Sequence, residues 1–198
     1  MAQRVRIDAA VVRGSIPWTE TKEPSLEILR VVEPNSDAVR EAMEIAFFLN
    51  GTPVKLDVAP DRRVVDLLRE DLGLTGTKEA CGTGDCGACT ILVDNESRLS
   101  CLMLAAQLDG RTVATIEGLS QGESLHVIQE AFIECGAVQC GFCTPGMVAS
   151  SVDLLHRIPS PTRQEIRDGF SGNLCRCTGY QKIVDAVELA VRKLQEDR

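Results

Sequence analysis

Nine cysteines in a chain of 198 residues limit what this sequence can become more than any other feature. Eight of them fall into two sets of four: Cys81, Cys86, Cys89 and Cys101, then Cys140, Cys143, Cys175 and Cys177. The stretch Val138–Gly146 reads V-Q-C-G-F-C-T-P-G. Its C-x-x-C, taken alone, fits zinc, a redox dithiol or a cluster. The companion pair at Cys175 and Cys177, and the set upstream, point instead to a chain built around two metal centres. An odd count is awkward for a pure disulfide framework. The opening M-A-Q-R-V-R-I-D-A-A-V-V-R-G has no apolar signal core, and Arg4 and Arg6 are not adjacent, so no export signal is expected. The expected setting is the reducing cytoplasm, where clustered cysteines more often bind metal or do redox work.

Composition narrows the function classes. The length suits two small domains. Aromatic residues make up only 4% of the chain, so two small cores would gain from metal reinforcement. A net charge of −8 disfavours nucleic acid as a partner, because phosphate binding needs a basic face. No apolar run approaches the roughly 18–20 residues of a membrane helix.

Residues 1–43 carry the least information. Ile16-Pro17-Trp18 and Glu33-Pro34-Asn35 read as turns, Ser25–Val32 as a short strand or helix, and Ser36–Met43 as helical in composition. Three readings stay open for this N-terminal extension: a mobile arm, a strap that docks on a partner, or a segment ahead of a native start at Met43.

From residue 44 the pattern sharpens. Glu44–Leu49, Asn50-Gly51 and Pro53–Val58 read as a hairpin with a strong turn signal. Asp61–Asp71 has apolar residues at 64, 65, 67 and 68, which predicts an amphipathic helix capped by Asp61. A glycine-rich cysteine loop follows. Thr90–Val93 and Arg98–Cys101 around Asp94-Asn95 suggest a second hairpin, and Thr112–Ile116 a last strand. This is a small α+β domain over 44–118. Beyond it, Leu125–Cys135, Pro145–His156, Arg163–Phe170 and Tyr180–Leu194 have helical spacing, with Thr162 and Glu165 placed as a capping box. They predict an all-α four-helix bundle over 119–198.

The first cysteine set has the spacing C-x4-C-x2-C-x11-C, that of plant-type 2Fe–2S ferredoxins. Thiolates suit iron–sulfide bonding. Gly82, Gly84 and Gly87 let the loop wrap closely and turn amide hydrogens toward sulfur. A four-cysteine zinc site is the competing reading, although zinc knuckles usually pair ligands two to four residues apart. The second set has the spacing C-x2-C-x31-C-x-C, with both pairs at helix-flanking turns. It predicts a cluster inside the bundle, shielded from water.

Together, C-G-T-G-D-C-G-A-C-T, V-Q-C-G-F-C-T-P-G-M and G-N-L-C-R-C-T-G-Y resemble the small iron–sulfur subunit of the molybdenum hydroxylase (xanthine oxidase/dehydrogenase) family. The resemblance spans about 44–195 and leaves out residues 1–43. It implies a β-grasp plant-type ferredoxin domain followed by a helical domain, each with one 2Fe–2S cluster. It implies a large molybdopterin subunit and a medium FAD subunit as partners, in a heterotrimer or a dimer of heterotrimers. Electrons would pass from the pterin to the cluster held by Cys140, Cys143, Cys175 and Cys177. They would continue to the cluster held by Cys81, Cys86, Cys89 and Cys101, and then to FAD. By the same resemblance, Gln139 hydrogen-bonds the pterin and Cys143 lies close to it; an amide both donates and accepts, as a pterin edge requires.

The implied enzyme is a xanthine dehydrogenase-like N-heterocycle or aldehyde dehydrogenase, with a carbon monoxide dehydrogenase or hydroxybenzoyl-CoA reductase as family alternatives. A free ferredoxin-like carrier and a zinc-binding interaction module are the alternatives outside that class. No paired carboxylates, Ser/His/Asp arrangement or dinucleotide fingerprint suggests substrate chemistry on this chain. Cys135 reads as a small buried apolar residue, and His126 and His156 as surface or packing residues. Arg176 reads as a tuning or partner-facing cation, Tyr180 and Lys182 as interface or cap residues, and Asp85 as a loop acceptor.

Overall fold

The structure is a computed structural model that describes residues 42–120 and 124–196. The turns and elements expected before residue 42 lie outside the described residues. Alternation builds the sheet: in β1 (Met43–Leu49), Ile45, Phe47 and Leu49 point into the core. Strand β2 (Thr52–Val58) runs back antiparallel with Thr52 opposite Leu49. Asn50 and Gly51 between them have φ of 52° and 80°. That is the two-residue turn whose twist matches the flanking strands.

The helix expected over Asp61–Asp71 starts later than expected. A short turn α1 (Val64–Asp66) widens into a π-type turn over Leu67–Asp71. Asp61 is not its cap. The free amides of Val64 and Val65 reach the carbonyls of Met103 and Ser100 at 2.9 and 3.1 Å, so backbone from another loop does what a side-chain cap would do. The four apolar positions, Val64, Val65, Leu67 and Leu68, are all fully buried.

Strands β3 (Thr90–Val93) and β4 (Glu96–Leu99) form a second hairpin around Asp94 and Asn95, at φ of 51° and 66°. The tight turn pairs Val93 with Glu96, so β4 begins two residues before the expected Arg98. It ends at Leu99, and the Ser100 hydroxyl turns to donate to the Cys89 carbonyl at 2.8 Å. Strand β5 (Thr112–Ala114) stops short of the expected Ile116, because Asn50 Oδ1 takes the Thr115 amide at 2.9 Å. Ile116–Leu119 then coils as α2. β5 lies parallel to β1 and antiparallel to β3, in the order β2-β1-β5-β3-β4.

Four helices follow: α3 (Val127–Glu134), α4 (Thr144–Arg157), α5 (Arg163–Gly169) and α6 (Gln181–Glu196). The capping box forms as expected, with Glu165 N–H donating to Thr162 Oγ1 and Thr162 N–H to Glu165 Oε2. His126 is the cap of α3 rather than a member of it. It is buried, its Nδ1 accepts the Ile128 amide at 3.2 Å, and burial pushes the ring down to about 4. Cys135 is half-buried at the C-terminal end of α3, not fully buried as expected. His156 and Lys182 are exposed. Tyr180 stands before α6 at φ 67°.

The helical core gathers Ile128, Phe132, Met147, Leu155, Ile166 and Ile183, and takes Leu92 and Ala114 from the sheet. Ile91 and Val93 enter the other core with Leu67 and Leu68. Strand β3 is therefore buried on both faces. Asp153 of α4 is buried and accepts the Ser97 hydroxyl of β4 at 2.7 Å, a polar tie beside that apolar seam. The architecture is α+β: a mixed five-stranded sheet followed by a helical unit packed on it.

Candidate metal centres

The loop from Cys81 to Cys89 turns on Gly82, Gly84 and Gly87, at φ of 66°, 87° and 68°. Residues with a Cβ rarely hold such angles. The loop brings the Cys81 and Cys86 thiols into hydrogen-bond contact, and Cys89 into contact with Cys101. Val65 of α1 packs over Cys89 and Cys101, which are buried. The Thr83 side chain beside it and the Thr83 amide, 3.4 Å from its sulfur, draw the Cys81 thiol down to about 6. Burial and the neighbouring Cys89 push Cys101 up to about 11. The Thr83 hydroxyl also donates to Asp85 at 2.7 Å, the loop-acceptor role expected of that aspartate.

The second set assembles where the chain enters α4 and α6. Cys140 and Cys177 sulfurs lie 3.6 Å apart, and Cys143 contacts Cys175. Burial pushes Cys143 up to about 12. Burial would also raise Cys175, but the Thr178 hydroxyl, 3.0 Å from its sulfur, and the Thr178 amide bring it below its ordinary value. One expectation is corrected. The set lies at an end of the helical unit rather than within it, and Cys140 and Cys177 are exposed. Both ligand pairs precede their helices, so they meet at the mouth of the bundle instead of along its axis.

The pairing speaks to what could be held. Among the described residues, no three His, Cys, Asp or Glu side chains gather as a single metal ion would need. A zinc site surrounds one ion with four donors, whereas a two-iron cluster spreads four cysteines over two metals. Cys81/Cys86 with Cys89/Cys101, and Cys140/Cys177 with Cys143/Cys175, are two-by-two arrangements of that second kind.

Three residues of G-N-L-C-R-C-T-G-Y do more than sequence reasoning assigned to them. Tyr180, read as an interface or cap residue, is half-buried, and its hydroxyl accepts the Cys175 amide at 2.8 Å and donates to the Asn173 carbonyl at 3.1 Å. Thr178 donates to a cysteine sulfur, and Asn173 is buried between the two loops. All three lie inside the motif G-N-L-C-R-C-T-G-Y, where the cysteines are the conspicuous signal. Gln139 is exposed beside Val138 and Phe142, the latter 44% exposed, and Arg176 is exposed as well. The two loops touch directly: Leu174 donates its amide to the Cys86 carbonyl at 2.8 Å.

Thiols paired in two places, on loops that a backbone hydrogen bond ties together, are the makings of a relay, which puts the chain in the class of two-centre iron–sulfur electron-transfer proteins. Residues 47–115 match the model of a 2Fe-2S iron-sulfur cluster binding domain, and residues 115–188 that of a [2Fe-2S] binding domain. The chain is 48% identical to the nicotinate dehydrogenase small FeS subunit of Eubacterium barkeri, over 73% of this chain and 92% of that protein. It is 50% identical to the nicotine 6-hydroxylase small subunit of Paenarthrobacter nicotinovorans, over 74% of this chain and 88% of that protein. The crystal structure of quinoline 2-oxidoreductase from Pseudomonas putida 86 superposes with a TM-score of 0.75 at 46% identity, covering 79% of this chain and 98% of that one. The chain belongs to the small 2Fe–2S subunits of the molybdenum hydroxylases and is an electron-transfer subunit of that kind of oxidoreductase.

Proposed function

We propose that this chain relays electrons from a molybdopterin-bearing large subunit to an FAD-bearing medium subunit, in a heterotrimer or a dimer of heterotrimers. Cys140, Cys143, Cys175 and Cys177 hold the cluster nearest the pterin, in the helical domain (119–198). Cys81, Cys86, Cys89 and Cys101 hold the outer cluster, in the ferredoxin-like domain (44–118). When bound, each 2Fe–2S cluster supplies a one-electron couple. The residues of this chain set the rest. Gly82, Gly84 and Gly87 close the first loop, Thr83 and Thr178 donate to ligand sulfurs, and Tyr180 fixes the backbone before Cys175. Gln139 presents its amide to the pterin, and the exposed pair Cys140 and Cys177 faces the same side.

The observation that carries this reading is the Leu174–Cys86 hydrogen bond, which puts the two cysteine sets on one short bonded route. A free carrier would show a polar surface around Gln139. Val138 and Phe142, large apolar side chains left exposed on either side of Gln139 in the sequence, favour a surface covered by a partner. Leu102, 60% exposed beside Cys101, offers a second apolar spot for the flavin subunit. Nicotinate, nicotine and quinoline, the compounds in the relatives' names, are all aromatic N-heterocycles. The holoenzyme is accordingly an N-heterocycle or aldehyde dehydrogenase of the cytoplasm, with its substrate chosen by the large subunit.

Purification of the native complex tests the assignment. Molybdenum, flavin and two distinct 2Fe–2S signals should travel together with this chain. A chain that elutes alone with both clusters would favour the free carrier. Gln139→Ala should weaken cofactor retention or electron transfer, and an unchanged variant would remove Gln139 from the pterin contact.

A further inference from the structure

The two cysteine loops come from segments far apart in the chain, and one buried side chain lies between them. Asn173 is 6% exposed. Its Nδ2 donates to the Gly87 carbonyl at 3.1 Å and to Thr90 Oγ1 at 3.3 Å, both in the ferredoxin-like half. Its Oδ1 accepts the Ser150 hydroxyl of α4 at 2.8 Å. Its own backbone is held too, by its amide to the Phe170 carbonyl at 2.9 Å and by the Tyr180 hydroxyl on its carbonyl. The Gly87 carbonyl oxygen and Thr90 Oγ1 lie 2.7 Å apart, so Nδ2 meets both in one direction and the side chain has one orientation that satisfies its surroundings. The contact is close enough to exclude a methyl group. A Cβ on Gly87 would stand 2.3 Å from the Gly172 carbonyl oxygen, and one on Gly146 2.4 Å from the Gly87 carbonyl oxygen. The next residue after Asn173 is Leu174, whose amide bridges to Cys86, and the one after that is Cys175.

We infer that Asn173 is a positioning residue for inter-cluster electron transfer: its carboxamide clamps the loop of Cys86 and Cys89 to the loop of Cys175 and Cys177, and so holds the two centres at one separation. This rests on the assignment of one 2Fe–2S cluster to each cysteine set. Packing alone would explain a buried amide of suitable size. It would not explain why the amide nitrogen is aimed at the Gly87 carbonyl of the other cysteine loop, one residue before the amide that closes the bridge. Buried polar groups of this kind rigidify and specify one arrangement when every partner is met.

The test uses the full chain with both clusters loaded. Wild type is compared with Asn173→Asp, which keeps the shape and the acceptor for Ser150 but loses both donors, with Asn173→Ala, and with Ser150→Ala, which leaves both donors in place. The readouts are iron content, the g-values of each reduced cluster, and the low-temperature EPR splitting that arises from magnetic interaction when both clusters are reduced. In Asn173→Asp and Asn173→Ala the splitting should be lost while both sets of g-values and the full iron content remain; Ser150→Ala should keep the splitting. Wild-type splitting in the two Asn173 variants would overturn the inference. So would loss of a cluster from both of them, which would make Asn173 a loading residue and not a positioning one. A wild-type chain without two distinct 2Fe–2S signals would bring down the cluster assignment itself.

Discussion

Leu174 donates its backbone N–H to the carbonyl oxygen of Cys86 at 2.8 Å. A residue of the first cysteine set and the neighbour of Cys175 in the second thus share one hydrogen bond. Everything near this bond is arranged to keep it short. Tyr180 holds the backbone on the Leu174 side, and Gly87 lies closer to the Gly172 carbonyl and to Gly146 than a Cβ would allow.

The two centres should be separable by mutation. Cys101→Ala removes a buried thiol of the first set, and Cys175→Ala a thiol of the second. Each variant should lose one 2Fe–2S signal and half its iron while the other signal persists. EPR of the reduced protein with iron analysis makes the comparison. Loss of both signals from either variant would contradict independent sites.

Gly146→Ala sets two effects against each other. Alanine inside a helix is favoured over glycine by about 1 kcal/mol. The new methyl, however, would sit 2.4 Å from the Gly87 carbonyl oxygen, which is backbone and cannot swing aside. Overpacking of this kind costs about 1–3 kcal/mol, so the variant should melt at a lower temperature. Gly172→Ala, with nothing within 4 Å of the added methyl, should melt close to wild type.

Thr178→Val should lower the reduction potential of the helical-domain cluster. The Thr178 hydroxyl lies 3.0 Å from Cys175 sulfur and stabilises negative charge there. Reduction adds negative charge, so losing the donor disfavours the reduced state. A hydrogen bond of about 1 kcal/mol corresponds to roughly 40 mV for one electron. EPR-monitored redox titration should show that shift in one signal and not in the other.

His126 should make the helical unit sensitive to acid. Burial holds its folded-state value at about 4, below the ordinary histidine value of about 6.5. Between those values the unfolded chain binds the extra proton and the folded chain does not, so stability falls as pH drops through that window and is unaffected above it. The share assigned to His126 is on the order of 3 kcal/mol. His126→Asn keeps a capping acceptor without the titration. Its denaturant midpoint should vary less between pH 7 and pH 4 than that of wild type, checked by urea melts across that range.

Sequence pattern recovered most of the fold because local chemistry dictates it. Asn50-Gly51 and Asp94-Asn95 specify their turns, and the spacing of Val64, Val65, Leu67 and Leu68 specifies a buried face. What it missed came from contacts distant in the chain. The cap of α1 is supplied by Met103 and Ser100 carbonyls, β5 ends because Asn50 reaches Thr115, and Asn173 reaches back to Gly87. The cysteines stood out by spacing alone. Their pairing two by two, and the exposed position of Cys140 and Cys177, depend on which ends of α4 and α6 meet, which no spacing encodes.

Strand β3 belongs to both halves at once, and this bears on whether either half can be cut free. The two family models abut at residue 115, which looks like a place to divide the chain. A fragment ending there would keep Leu92 and Ala114 but lose the helices that cover them, and the helical fragment would bare the opposite side of the same contact. Each piece would gain a fresh apolar surface prone to self-association. Because β3 is shared by both cores, the sheet and the helical unit should unfold together in one step rather than as two domains in series.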